Sequence, residues 1–212
     1  MTVFYNEFED KIASMDIPNC RVNNVPGCVD IGEWPVINDP SREYDSFPSR
    51  TNVDEAVTRG VEVSTRVPLG EAWALTANYT YTDSEQKSGP NAGDPLTDTP
   101  KHMVNAMLRW QTTERLNTWL RGEYSSKRHR ATGPGTPQSE VDELGDFRAY
   151  SLFHLGAGYR VAENVTVNAA VYNMLNKDFV DYRSYEDGAR YGNVYANNLE
   201  GRRLWLSTSV TF

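Results

Sequence analysis

The stretch at residues 201–212, "GRRLWLSTSVTF", decides the fold class because two kinds of side chain alternate along it. The apolar residues share one parity, at Leu204, Leu206, Val210 and Phe212. Trp205 and hydroxyl residues occupy the other parity. A period of two predicts a β-strand whose two faces meet two different environments. Because chain ends are usually frayed and polar, a phenylalanine in phase with the strand predicts that it belongs to the sheet.

The same alternation recurs along the chain and predicts an all-β fold of about eight strands. In "WALTANYTYT", at residues 73–82, Trp73, Leu75 and Tyr79 share one face and threonines dominate the other. The spacing of three and four residues that is typical of amphipathic helices is rare. The predicted strands lie at residues 2–12, 59–67, 73–82, 102–110, 116–124, 153–159, 165–175 and 201–212.

Composition excludes two classes of protein. The 212 residues are 39% hydrophobic, with a mean hydropathy of -0.62. No run of about 18 apolar residues is present, which excludes a bundle of transmembrane helices but not a membrane β-barrel, whose strands are only half apolar. The net charge of -8 argues against a nucleic acid partner, because phosphate binding requires a basic surface.

The connections between the predicted strands alternate in length. The short ones lie around Gly70, Thr113 and Asn164, and the long polar ones lie at residues 12–52, 84–99, 127–146 and 177–200. Long structureless connections are uncommon in compact domains. Their position at one end of an antiparallel meander predicts a transmembrane β-barrel segment with short periplasmic turns and long extracellular loops. A soluble β-sandwich or lipocalin-like barrel is the alternative.

Aromatic residues fall where two membrane interfaces would place them. Trp73, Trp110, Tyr159 and Phe212 lie beside the short connections, and Tyr79 and Tyr124 lie nearer the opposite strand ends. Amphipathic rings are enriched at both interfaces of membrane barrels. In a strand tilted by about 45°, the segment from Trp73 to Tyr81 spans roughly 19 Å, close to an apolar band of about 25 Å.

Cys20 and Cys28 are the only cysteines and lie in a polar segment, "CRVNNVPGC". Their spacing indicates a disulfide-closed ring in an oxidising compartment, with unlinked thiols as the alternative. No metal site is expected, because the histidines are scattered and the acids of the first long connection are more simply solvated than bound to calcium. The opening "MTVFYNEFEDKI" lacks the regions of a signal peptide, and we interpret it as internal to a longer chain.

Three motifs resemble the barrel of TonB-dependent outer-membrane receptors, and among these the ferric enterobactin and colicin I receptor class. The first, "NVDEAVTRGVE", has the family pattern at Asn52, Asp54, Ala56, Gly60 and Glu62. The second, "VYNMLNKDF", has it at Asn173, Leu175, Asn176 and Lys177, with Met174 where leucine is usual. The third is the closing "GRRLWLSTSVTF". A cysteine pair in a long outer loop also fits this class.

The resemblance implies that residues 1–212 are the C-terminal part of a barrel of about 22 strands, with the plug domain and the TonB-contacting segment absent. It implies a place in the bacterial outer membrane and uptake of a ferric siderophore of the catecholate type through the TonB energy-coupling complex. The siderophore is the transported ligand, and no cofactor is expected. It also implies that the outer-membrane assembly machinery recognises an assembly signal at Leu204, Leu206, Val210 and Phe212.

Two basic and aromatic clusters in the long connections are candidate ligand contacts. Guanidinium groups supply charge and planar stacking, and tyrosines supply aromatic faces, which suits the flat anionic rings of a ferric catecholate. Contact with lipopolysaccharide phosphates or with solvent is the alternative. The candidate residues are Lys127, Arg128 and Arg130 in one cluster, and Arg183, Tyr185, Arg190 and Tyr191 in the other.

No enzymatic activity is expected from the motifs. The sequence has no G-x-S-x-G elbow, no phosphate-binding glycine loop and no metal-spaced set of histidines and cysteines. The rival to the receptor is a self-sufficient eight-stranded outer-membrane barrel with an adhesive or structural role. Such a barrel has an interior filled with side chains and would not pass a chelate.

Overall fold

The computed structural model describes residues 1–9, 11–21, 25–30, 46–53, 55–88, 91–131, 138–184, 191–195 and 199–211. One helix, α1 (Gln138–Leu144), lies between the seventh and eighth strands. No helix in these ranges has the length and apolar character needed to cross a membrane. The strands are β1 (Thr2–Phe8), β2 (Lys11–Pro18), β3 (Ser46–Val53), β4 (Ala56–Pro68), β5 (Trp73–Gln86), β6 (His102–Gln111), β7 (Leu116–Ser125), β8 (Tyr150–Ala162), β9 (Val165–Tyr172), β10 (Val180–Ser184), β11 (Tyr191–Tyr195) and β12 (Arg203–Val210).

Eight of these strands form one antiparallel sheet in the order β1-β4-β5-β6-β7-β8-β9-β12. This main sheet confirms the predicted all-β antiparallel fold and its number of strands. The strands β2 and β3 form a separate hairpin within the first long connection, and β10 and β11 form another within the last. Sequence alternation does not predict these hairpins or α1, because short polar segments carry little apolar periodicity.

Several predicted strand ends are wrong, and the two largest errors lie at the end of the sheet that carries the long connections. The first strand was expected over residues 2–12, but β1 ends at Phe8 and Lys11 begins the separate hairpin. The strand expected at residues 73–82 continues to Gln86 in β5. There Arg59 of β4 pairs with Asp83 at 2.8 Å, so charged pairs extend the ladder beyond its apolar part. The end of apolar alternation therefore does not mark the end of a strand.

One face of the main sheet is apolar from strand to strand, because the register aligns the apolar parity of neighbouring strands. No described element packs over this face, and Leu204 and Leu206 are 77% and 73% exposed. A contiguous exposed apolar face of this extent marks a surface that contacts a membrane or a protein partner. One row of directly paired residues crosses seven strands through Val67, Leu75, Leu108, Leu120, Leu155, Val171 and Leu204.

The opposite face of the main sheet is polar. Asn78 lies directly opposite Asn105, which in turn lies opposite Glu123 on the next strand. The Ser64 hydroxyl donates to Asn78 Oδ1 at 2.7 Å. Because side chains alternate with a period of two, a slip of one residue would exchange the two faces completely. The difference between the faces therefore specifies the register of the whole sheet.

Aromatic rings mark two levels on the apolar face. Trp73 and Trp110 pair directly beside two of the short connections, with ring centroids 4.9 Å apart and planes at 1°. Toward the other end, Val104 lies in register between Tyr79 and Tyr124. Amphipathic rings at two levels match the two interfaces of a bilayer.

Three glycines of the main sheet lie opposite aromatic residues, in the pairs Phe4–Gly60, Trp119–Gly156 and Phe153–Gly122. A Cβ atom on Gly60 would lie 2.6 Å from the Phe4 ring and would collide with the Tyr81 carbonyl oxygen. A Cβ atom on Gly122 would lie at an ordinary 3.4 Å from the Phe153 ring. Gly60 is therefore required by packing across the sheet, which explains its place in the first sequence motif.

We predict that Gly60→Ala lowers the free energy of unfolding by about 1–3 kcal/mol, because the added methyl group forces β1 and β5 away from β4. Gly122→Ala is the matched control, and it leaves the stability within about 1 kcal/mol of the parent. Denaturant unfolding of the detergent-solubilised protein, followed by tryptophan fluorescence, measures both. Equal midpoints for the two variants would contradict this account of Gly60.

Candidate ligand-capture site

The long connections all begin and end at one end of the main sheet, which we call the outer end. They comprise residues 9–55, 87–101, 126–149 and 173–202. The short connections, at residues 69–72, 112–115 and 163–164, lie at the other end. The predicted alternation of short and long connections is confirmed, and the outer end supplies the chain from which a binding surface can be built.

A disulfide closes a small ring in the first long connection. Cys20 and Cys28 are bonded, with Cα atoms 5.0 Å apart, immediately after β2. Arg21 Nε lies 2.9 Å from Asp30 Oδ1 across the ends of the ring. The cysteines that the sequence pairs are thus joined in the structure, just beyond the C-terminal end of β2.

The connection between β7 and β8 is organised around Phe147. Arg128 and Phe147 exchange backbone hydrogen bonds of 3.0 and 2.9 Å. The guanidinium carbons of Arg128 and Arg130 lie 5.0 and 4.0 Å from the centre of the Phe147 ring. The Arg130 Nε atom also donates to the carbonyl of Gly145 at 2.9 Å. Both arginines are buried, at 7% and 3% exposure, so their positive charges stabilise the connection from within.

Asp98 links two neighbouring outer connections. Its carboxylate forms an ion pair with the Arg128 guanidinium, and its backbone amide donates to the His129 carbonyl at 3.1 Å. Asp98 has a positive φ of 60°, which aspartate tolerates better than most residues. The connections at residues 87–101 and 126–149 are therefore fastened to each other by one aspartate.

Lys127 differs from its two basic neighbours because its side chain is on the surface, at 76% exposure. Its Nζ atom lies 3.0 Å from Asp146 Oδ2, and His129 Nδ1 lies 3.5 Å from the other carboxylate oxygen. Partial burial raises the pKa of Asp146, but the hydrogen bond and charge of Lys127 and the charge of His129 outweigh it, so this pKa is below its ordinary value. Asp146 therefore stays ionised and restrains Lys127 at the outer surface.

The second candidate cluster lies on the hairpin of β10 and β11. Arg183 pairs in register with Gly192, and Tyr191 pairs with Ser184. Tyr185 and Arg190 lie outside the described residues, as does Phe212. The hairpin thus brings the backbone of Arg183 close to that of Tyr191 within the last long connection.

Asn173 joins the two ends of the last long connection. We call these two ends, residues 173–177 and 199–202, the neck. Its Oδ1 accepts a hydrogen bond from the Lys177 amide at 2.7 Å. Its Nδ2 donates to the carbonyls of Lys177 at 3.1 Å and Glu200 at 3.2 Å. Asn173 is 3% exposed and has a φ of 46°. One buried amide side chain therefore closes the neck.

Asn176 provides a second tie across the neck. Its Oδ1 accepts a hydrogen bond from the Arg202 amide at 3.0 Å, and its φ is 53°. Asparagine tolerates positive φ and has a short side chain that reaches nearby backbone groups. The second sequence motif is thus a structural clamp at the base of the loop that carries Arg183 and Tyr191.

A buried histidine lies against the neck on the polar face of the sheet. His154 Nδ1 accepts a hydrogen bond from the Asn173 amide at 3.1 Å, and its Nε2 lies 3.1 Å from Glu123 Oε1. Arg121 also pairs with Glu123. Sequence patterns do not select these residues, because they meet only where the register places β7, β8 and β9 side by side.

The family model described as "TonB dependent receptor-like, beta-barrel" matches residues 1–174. Because this match covers most of the chain, the chain belongs to that family. The main sheet is a segment of an outer-membrane β-barrel, and its apolar face is the lipid face. Its polar face is the lumen wall, and the outer end is the extracellular end.

Similar proteins agree with this assignment. The iron-regulated outer membrane virulence protein of Vibrio cholerae is 35% identical over 100% of this chain and 28% of its own length. The ferric enterobactin receptor PirA of Pseudomonas aeruginosa is 31% identical over 76% of this chain and 21% of its own. A solved variant of the ferric enterobactin receptor PfeA, from Pseudomonas aeruginosa, superposes with a TM-score of 0.62 at 23% identity, over 99% of this chain and 28% of that one. The chain spans about a quarter of the length of these proteins.

We predict that Asp98→Asn loosens the contact between the two fastened connections, because the buried Arg128 loses a charged partner. The local opening free energy falls by about 1–2 kcal/mol, equivalent to roughly tenfold faster amide exchange. Hydrogen exchange of peptides covering residues 97–99 and 127–130 measures this effect. Asp94→Asn, an exposed acid of the same connection, is the control, and identical exchange in both variants would refute the link.

We predict that Asn173→Ala opens the neck, because three hydrogen bonds are lost and two carbonyl groups lose a donor. The local stability falls by about 2–3 kcal/mol. Asn173→Gly keeps the positive φ without strain but lacks the side chain, so it separates lost hydrogen bonds from backbone strain. Protease sensitivity of the last long connection reports opening, and the account fails if the glycine variant is as resistant as the parent.

Proposed function

We propose that this chain is the barrel segment of an outer-membrane receptor that takes up a ferric siderophore of the catecholate type by TonB-dependent transport. The observation that carries the proposal is a two-faced sheet with its long connections gathered at one end. An extracellular surface built on a membrane-spanning wall suits capture of a ligand from outside the cell. The names of the relatives, as an iron-regulated outer membrane protein and a ferric enterobactin receptor, support this ligand class.

The open sheet favours a large barrel over a self-sufficient one. Among the described strands, β1 and β12 form the two edges of the main sheet and no pairing joins them. Unpaired edges are costly in hydrocarbon, because no water is present to bond their backbone groups. Further strands would satisfy both edges in a barrel of about 22 strands. A closed eight-stranded barrel with an adhesive or structural role has no support in this topology.

The extracellular connections provide groups suited to a ferric catecholate. Arg183, Tyr185, Arg190 and Tyr191 lie in sequence on or between β10 and β11, and Lys127 is exposed on the β7–β8 connection. A flat anionic chelate would be held by charge-assisted hydrogen bonds and by stacking on aromatic and guanidinium planes. In this proposal Arg128 and Arg130 contribute to the same site by holding their connection in shape.

The proposed partners follow from the place of the segment in the receptor. The TonB complex would supply energy through a part of the receptor outside this segment. Lipopolysaccharide would surround the outer end of the lipid face. The assembly machinery would recognise the last strand, where Leu204, Leu206 and Val210 share the exposed apolar parity and Phe212 continues it in sequence.

We predict that replacing Arg183 and Arg190 together by glutamine in the intact receptor weakens ferric-catecholate binding by about tenfold or more, because charge-assisted contacts are lost. Quenching of tryptophan fluorescence by the ferric chelate measures the affinity of the purified receptor.

The matched control replaces Arg115 and Arg160, which lie near the short connections, by glutamine and leaves the affinity unchanged. Unchanged affinity in the loop variant would remove Arg183 and Arg190 from the proposed site. An equal loss in both double variants would show a general effect of charge and would also count against the site.

A further inference from the structure

A buried titratable side chain lies where the lumen wall meets the neck. His154 belongs to β8, its side chain is 7% exposed, and its ring centre lies 5.5 Å from that of Tyr172 on β9. Histidine is the side chain whose charge changes most readily near neutral pH. Its position allows proton binding in the wall to act on the last extracellular connection. The proposed capture of ligand gives this buried histidine no role.

Hydrogen bonding defines the protonation state of His154. The Asn173 amide donates to Nδ1 at 3.1 Å, and a nitrogen that accepts a hydrogen bond carries no proton. His154 is therefore neutral, with its proton on Nε2. Nε2 lies 3.1 Å from Glu123 Oε1, yet no aligned hydrogen bond joins them.

The charges on β7 act on His154 in opposite directions. Glu123 favours the protonated ring because its carboxylate lies within ion-pairing distance. Arg121 opposes the protonated ring, because its positive charge lies nearby and its Nε already donates to the same Glu123 oxygen at 2.7 Å. Burial also opposes a charge on the ring. The neutral ring is therefore the form that this part of the wall accommodates.

The groups on β9 and β12 complete the surroundings. The ring of Tyr172 on β9 lies next to the ring of His154. Arg203 of β12 stacks on Tyr172, with its guanidinium carbon 4.9 Å from the centre of the Tyr172 ring. Arg203 is itself paired with Glu200 at 2.7 Å. Glu200 supplies one of the carbonyls that Asn173 holds, so the wall and the neck share this set of contacts.

Protonation of Nδ1 would place its new N–H directly against the Asn173 N–H. Two donors at hydrogen-bonding distance repel each other, and a buried donor without an acceptor is costly. The Asn173 amide would have to move away from His154. Because the Asn173 side chain ties Lys177 to Glu200, that movement would release the neck.

We propose that His154 is a proton-sensitive positioning residue, which holds the neck closed while it is neutral and releases the neck when it is protonated. The proposal rests on the proposed function only in taking the last connection as a ligand contact. The closed form requires neutral histidine, so closure is complete above about pH 6.5, where ordinary histidines titrate, and is lost as the pH falls below it. Acid surroundings would therefore open this connection.

The test compares the intact receptor with its His154→Asn variant by hydrogen exchange, without ligand, at about pH 7.5 and about pH 5.5. Asparagine Oδ1 can accept the hydrogen bond from the Asn173 amide but cannot be protonated in this range. Because both proteins are measured at the same pH, the chemical dependence of exchange on pH cancels. Peptides covering residues 173–177 and 199–202 should exchange equally at the higher pH and about tenfold faster in the parent at the lower pH.

Further variants keep the outcome clear. His129→Asn, at a histidine outside the wall, should match the parent at both pH values. Glu123→Gln should shift opening to lower pH, because the ring loses the carboxylate that favours its cation. His154→Ala should expose the neck at both pH values, and the asparagine variant should restore it.

Two results would overturn the proposal. One is a parent receptor and a His154→Asn variant whose necks show the same change with pH. The other is a His154→Ala variant whose neck is as protected as that of the parent at the higher pH. Because the measurement uses no siderophore, it remains valid if Arg183 and Arg190 do not bind the ligand.

Discussion

Backbone hydrogen bonding in hydrocarbon is the constraint on which the rest of the structure depends. Inside a bilayer every amide and carbonyl must find a partner within the protein. The antiparallel ladder from β1 to β12 provides those partners, and its register places Leu75, Leu108 and Leu120 in one row on the lipid face. The same pleat turns Asn105 and Glu123 to the lumen, so one ladder determines both surfaces.

This constraint moves functional variation to the ends of the strands. The connections at the outer end lie outside the strands of the main sheet. Ion pairs, cation–π contacts and side-chain hydrogen bonds hold together the parts of them that the structure describes. Arg128 and Arg130 stack on Phe147, Asp98 fastens two connections together, and Asn173 closes the neck. Several of these groups are buried and carry a charge or an amide. Their contacts stabilise the connections when every partner is present, and removing one partner leaves a buried polar group unsatisfied, which costs free energy.

The neck connects the rigid wall to the proposed ligand-binding loop. Asn173 contacts His154 through its backbone and the loop ends through its side chain. A change of charge on one ring in the wall can therefore act on a loop several residues away without a change in the ladder. The sheet remains intact, since its own hydrogen bonds do not involve the histidine side chain.

The sequence by itself determined the fold class, the number of main strands, the two faces and the alternation of short and long connections. These features follow from a period of two and from local composition, which act within a few residues of one another. Only the tertiary structure decided that Lys127 is on the surface while Arg128 and Arg130 are buried, because their partners Asp98 and Phe147 lie far away in sequence. It also decided that His154 meets Glu123 and Asn173, since the register of neighbouring strands brings together residues whose local sequence carries no record of that contact.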